Sequence, residues 1–312
     1  TVDAQGRITA AASGTISGAE IANGAVTAAK ISTGEDFTFN SVIVGKGANS
    51  VAGNTVLGES ALDASVSGGD NTAIGNSALT TCTSGGENTA VGHDALELLT
   101  TGSGNTAVGD RAMEDHTTGS SNVAIGQQAL TNNTSASSNT AVGMQSLFTN
   151  TTGASNVAIG KDALRANTTA SNNTAVGMDA LTANTTGAAN TSVGSQALEA
   201  NTTGTRNTAV GYQALEANTT ADDNTAVGRH ALLVNTTGNN NTSIGKSSLT
   251  SNTTADNNTA VGYNCLLTNT TGASNVAVGS LALDANTTAS NNTACGYQAL
   301  TQNSTGANNT AV

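Results

Sequence analysis

The sequence predicts an all-β parallel β-solenoid, a β-roll built from 17-residue coils. Three observations carry that prediction. The motif Asn-Thr-Ala-Val-Gly, or a close variant, returns every 17 residues without insertion or deletion. Variation within the repeat is confined to a few positions. The chain also lacks the large side chains that fill a round core: of 312 residues only 2% are aromatic and 10% charged, and there is no proline or tryptophan. Such a chain is ordered by repetition or not at all. A net charge of −12 is mild over this length, and the unbroken spacing decides for order.

With Asn as position 1, repeats start at Asn54, Asn71 and Asn88 and continue at the same interval to Asn309, giving 15 full repeats and a stub. Independent loops tolerate length changes; a ladder in register does not. Glycine and a cluster of Asn, Thr and Ser recur in every repeat, which weakens any helix. A short strand over positions 1–4 fits better, with Thr 2 and Val 4 on one face. A second extended stretch around the Ala-Leu pair at positions 8 and 9 completes the coil.

Position 4 is almost always Val, Ile or Leu, and position 9 is Leu in all repeats but that of Met113. These two are the expected core, as in the pairs Val210 and Leu215, Val227 and Leu232, and Ile244 and Leu249. Position 5 is always glycine; Gly211, Gly228 and Gly245 mark a corner that needs positive φ or close backbone approach. Position 15 is Gly or Ala, so smallness is the requirement there. Stacked coils place like residues over one another at the strand spacing of ~4.8 Å. Two asparagine ladders follow: Asn207, Asn224 and Asn241 at position 1, and Asn218, Asn235 and Asn252 at position 12. Proline is excluded because each coil donates to its neighbour. Positions 6, 7, 10, 11, 16 and 17 carry the variable polar residues and are read as solvent-facing. Fifteen coils make a rod of about 70 Å.

Two sizeable apolar side chains per coil, worth ~1.5–3 kcal/mol each, stand against a backbone entropy of roughly 17–34 kcal/mol per coil. Burial between chains helps close that gap. The small residues at positions 3 and 8 are read as the place where a second backbone approaches, in a side-by-side homo-oligomer.

Residues 1–53 follow a different rule. Ile16, Ile21, Val26 and Ile31 lie five apart, a spacing that is neither helical nor simple strand alternation. This segment is read as an attachment or adaptor region, and residues 54–312 as the shaft.

The acidic balance argues against a nucleic-acid partner. The absence of an apolar run near 18 residues argues against membrane insertion. No leader is visible at Thr1. The chain stops four residues into a repeat, so further coils or a tip are expected beyond Val312. Cys82, Cys265 and Cys295 fall at different repeat positions and read as isolated small apolar residues. His93, His116 and His230 sit at positions 6, 12 and 7 and do not align as ligands or as a base–nucleophile pair. The Glu114-Asp115-His116 run reads as solvated surface, and Asp222 and Asp223 point apart in an extended chain. No enzymatic activity, catalytic residue, cofactor or metal is expected. The Asn-Thr-Thr sequons are read as ladder rungs rather than glycan sites. Ice binding by rows of threonine is disfavoured, because position 2 shares the face of the expected core valine.

TVDAQGRITAAASG and TISGAEIANGAV resemble shaft segments of bacteriophage tail fibres, especially those of marine and cyanobacterial phages. VGKGANSVAGNTVLGESAL and the NTAVGxxALxxNTTG array resemble repeats of such virion fibres. The array is also similar to the head repeats of trimeric autotransporter adhesins, whose period is shorter. The resemblance covers nearly the whole chain. It implies a left-handed roll in a homotrimer and a virion location. The implied role is a shaft that presents a host-recognition tip, with other virion proteins at the N-terminal end and a host receptor at the tip. A bacterial surface adhesin or extracellular filament is the alternative.

Overall fold

The structure, a computed structural model, describes residues 36–64 and 66–312. The five-residue spacing of Ile16 to Ile31 lies outside the described residues. The compact unit that contains the coils begins at Asp36, not at Asn54. Residues 36–53 therefore belong with the coils, and the reason is strand pairing. Strand β1 (Phe37–Phe39) pairs antiparallel with β2 (Val42–Gly45), and β2 pairs antiparallel with β3 (Thr55–Gly58), the strand of the first coil. An open strand edge is a template for unwanted pairing; this hairpin covers it. The Asp36 carboxylate closes the hairpin base by accepting the backbone N–H groups of Lys46 and Gly47, each at 2.7 Å.

From β3 onward every coil contributes one short strand to a single parallel stack. It runs through β4 (Thr72–Ile74) and β13 (Thr225–Val227) to β17 (Thr293–Cys295) and β18 (Thr310–Ala311). The register is the sequence period itself: Thr208 pairs with Thr225, Ala209 with Ala226 and Val210 with Val227. The chain is thus an all-β parallel β-solenoid of 17-residue coils.

Positions 5 to 11 form a turn rather than a second strand. In the coil of residues 207–223, Gly211 has φ 136, while Gln213, Leu215 and Asp223 lie in the left-handed region at φ 55, 52 and 60. The same positions recur with positive φ along the stack. The two left-handed residues within the turn send their N–H groups to opposite neighbours: Gln213 donates down to the Ser195 carbonyl (3.1 Å) and Leu215 up to that of Ala231 (3.0 Å). A left-handed leucine costs about 1–2 kcal/mol. Its complete burial, worth ~1.5–3 kcal/mol, offsets that. Position 17 tolerates the same conformation by favouring Asn, Asp and Ser.

The strand turns the opposite face inward from the one expected. Ala209, Ala226 and the other position-3 alanines are 0% exposed, as are Leu215, Leu232 and Leu249. Val210 and Ile244, by contrast, are 36% and 40% exposed, and Val227 is only half-buried. These three are not core residues. The cause is space. From Asn122 onward the interior of each coil already holds one leucine and two asparagine amides, so the strand can add only a methyl or hydroxymethyl group. Such a coil therefore buries one large apolar side chain, not two, whereas the coil from Asn88, with Leu99 in place of the second asparagine, buries both Leu96 and Leu99. Positions 3 and 8 face each other inside the coil and cannot receive a second chain: the Ser243 and Ser248 hydroxyls hydrogen-bond to each other across the interior, and Ser192 Oγ donates to the Ala197 carbonyl at 2.7 Å.

Hydrogen bonds fill the rest of that interior. At position 1, the side-chain oxygen of Asn190 accepts the backbone N–H of Asn207 (2.9 Å), and the Asn207 amide donates to the Ala221 carbonyl (2.7 Å). At position 12, Asn218 Nδ2 donates to Asn201 Oδ1 (2.8 Å) and to the same Ala221 carbonyl (3.2 Å). Both ladders converge on the position-15 carbonyl, which is why only Gly or Ala stands there. Buried amides engaged in this way are closed to glycosylation in the folded chain. Position 13 adds a third column, in which Thr202 Oγ1 donates to the Thr219 carbonyl at 3.0 Å.

His116 takes the position-12 rung below Asn133, fully buried. Its Nδ1 lies 2.9 Å from Asn133 Nδ2 and 3.0 Å from the Asn133 carbonyl; its Nε2 lies 2.8 Å from the Gly119 carbonyl. Desolvation lowers its pKa from 6.5, and the two carbonyls oppose that only in part. The folded chain therefore takes up this proton later than the unfolded chain as pH falls. The stability this rung contributes is complete above about pH 6.5 and is lost toward the lowered folded value, by up to ~1.4 kcal/mol per pH unit. His116→Asn continues the ladder with a non-titrating rung. Denaturation curves at pH 8 and pH 5 should then differ less than those of the parent chain.

Candidate interaction surface

Because Ala 3 points inward, Thr 2 and Val 4 point outward from every strand. Stacking in register turns them into two parallel columns along the roll. Leu57, Ile125, Ile159, Val193, Val276 and Val278 are among the exposed apolar residues of these columns. A continuous apolar stripe of this length is uncommon on a monomeric protein and marks a contact surface. Among the described residues the position-2 threonine hydroxyls donate to nothing within the chain, in contrast to those of position 13. The stripe thus offers methyl groups and unused hydroxyls at a spacing of ~4.8 Å. The signal for this parity was present in the sequence: position 4 accepts Leu, Ile, Val and Cys, whereas position 3 is Ala or Ser in every full repeat except that of Val56. The position with the narrower size range is the inner one.

The cysteines follow the same geometry. Cys82 and Cys265, at positions 12 and 8, are buried, and burial pushes the Cys265 thiol up to about 12 and raises that of Cys82. Cys295 stands at position 4 and is exposed.

The three histidines occupy different coils with separate partners. His93 lies 3.1 Å from Asp94 and 3.2 Å from Asp110, His116 is a ladder rung, and His230 rests against Tyr212. Asp222 and Asp223, expected to diverge, are both held by Arg206, at 3.7 and 2.7 Å. A grouping not visible in sequence brings carboxylate oxygens of Asp94, Glu97 and Glu114 within 4.8 Å of one another. Burial raises the Glu114 carboxyl, the neighbouring carboxylates add to this, and Arg111 opposes it. The Glu114-Asp115-His116 run is accordingly split: His116 points into the core rather than to solvent. Among the described residues no helix is long and apolar enough to cross a membrane. No protein-family model matches the sequence, and neither a curated protein nor a solved structure is detectably similar to it.

Proposed function

We propose that the chain is a structural fibre protein of a phage virion: a stiff shaft, three chains side by side, that holds a host-recognition tip away from the particle. One observation carries this reading, the outward Thr/Val stripe that runs unbroken along the solenoid. In a trimer the three stripes face one another on the axis. This supplies the apolar burial that a coil with a single buried leucine lacks. Each Val or Ile so covered contributes about 1 kcal/mol or more, at ~25 cal/mol per Å². A left-handed roll, other virion proteins at the N-terminal end and a host-surface receptor complete the proposal. A cell-surface adhesin built from the same shaft is the alternative.

Replacing Val210 and Val227 with lysine tests the stripe. Both side chains are solvent-facing in the single chain, so the fold is retained, but facing lysines repel across the axis. Sedimentation should report three chains for the parent and one for the double variant. Cys295 should react with maleimide only in the variant. A parent that sediments as one chain, or a variant that stays trimeric, ends the reading.

The outward threonines also favour a second reading, in which the stripe orders water and binds ice. Thermal hysteresis of the parent chain, lost on Thr208→Lys with Thr225→Lys, supports that reading. Its absence rules it out.

A further inference from the structure

We propose that positions 6 and 7 of the seven coils beginning at Asn190 form a binding stripe for a linear acidic polysaccharide. All three tyrosines of the chain, Tyr212, Tyr263 and Tyr297, stand at position 6 in this stretch. Arg229 and Lys246 fill the two position-6 sites between the first two tyrosines. Charge is sorted as well. The earlier coils place Glu59, Asp94, Asp110, Asp162 and Asp179 at positions 6 or 7, whereas from Ser195 to Gln298 these positions carry no carboxylate. In a chain of net charge −12, this is a local reversal of sign.

The side chains are available for a partner. Tyr263 and Tyr297 are 48% and 71% exposed. Arg111, Lys161, Arg165 and Arg206 are spent on neighbouring carboxylates, but among the described residues Arg229 and Lys246 form no ion pair. The Lys246 ammonium lies 5.5 Å from the centre of the Tyr263 ring, and the Tyr212 ring lies 5.7 Å from that of His230. His230 Nε2 is buried without a hydrogen-bond partner.

Stacking sets the spacing. Tyr263 and Tyr297 are two coils apart, roughly 10 Å, and Tyr212 and Tyr263 three coils apart, roughly 14 Å. An extended glycan advances by about one sugar per coil, so its C–H faces meet a tyrosine ring at every second or third residue. Uronate carboxylates then fall beside Arg229 and Lys246, where they accept hydrogen bonds from the ammonium and, in a bidentate pair, from the guanidinium. A nucleic acid fits less well, because its affinity rests on counterion release and two free cations release few counterions. This inference deepens the fibre reading and rests on it for the surface that the shaft meets.

The test titrates the full chain with polygalacturonate fragments, a neutral glucan, and single-stranded DNA of matched charge. Polygalacturonate should bind best and weaken with salt. Both Tyr263→Ala/Tyr297→Ala and Arg229→Ala/Lys246→Ala should lower its affinity about tenfold or more, with an unchanged circular dichroism spectrum. Absence of polygalacturonate binding overturns the proposal, as does parental affinity in the tyrosine variant. DNA binding as tight as that of the uronate overturns it too, leaving charge alone. A trimer that ignores polygalacturonate ends this inference and leaves the fibre reading standing; a single chain that binds it does the reverse.

Discussion

Gly228→Ala is expected to melt the middle of the solenoid while its ends persist. Gly228 has φ +134, and an added Cβ would lie 2.6 Å from the Gly245 carbonyl oxygen and 2.7 Å from its carbon. Two costs combine. The backbone conformation is one that L side chains rarely adopt, at ~1–3 kcal/mol, and the clash is with backbone, which cannot rotate away. The total is about 3 kcal/mol or more. In a linear stack each coil touches only its neighbours, so the damage is local. Amide exchange should accelerate at Thr225–Val227 and Thr242–Ile244, the strands that flank the corner. Ala221→Gly is the control, because glycine already stands at the equivalent positions 204 and 238. It should cost at most ~1 kcal/mol.

Asn218→Ala should be nearly as damaging, for a different reason. Its Nδ2 donates to Asn201 Oδ1 and to the Ala221 carbonyl, and its Oδ1 accepts from Asn235 Nδ2 at 3.3 Å. All three partners are buried. Truncation leaves the Asn235 amide one acceptor short and Asn201 without its donor, at ~1–3 kcal/mol for each orphaned group. The cavity adds to this. Denaturant titration should show a loss of about 3 kcal/mol or a separate early transition. Thr220→Ala, on an exposed position 14 of the same coil, should change stability by less than ~0.5 kcal/mol.

The period, the parallel register, the asparagine ladders and the glycine corner were legible because each rests on identity recurring at a fixed interval. Stacking forces identical residues over one another, and recurrence is visible without coordinates. The inward side of the strand was misread, although the narrow size range of position 3 carried it. Hydrophobicity ranks Val210 above Ala209, and that ranking decides most proteins, but here the coil is too narrow for a valine opposite Leu215 and two amides. The left-handed leucine was hidden, since nothing in the leucine side chain favours positive φ; its cost is met by contacts with the coils on either side. Residues 36–53 lack the 17-residue motif, so their role in capping the first coil became visible only through the antiparallel pairing of Val44 with Leu57. The outward stripe, the candidate surface of this protein, follows directly from the strand parity that hydrophobicity assigned the wrong way round.

Electron cryo-microscopy of the purified chain, at a resolution that separates the strands, decides which face of each strand is turned inward. The map should show layers about 4.8 Å apart, one for every 17 residues, with alanine and leucine inside each layer and threonine and valine on its outer strand face. Density in which Val210, Val227 and Ile244 turn into the coil while Ala209, Ala226 and Ser243 face outward, or in which residues 17 apart are not stacked, contradicts it.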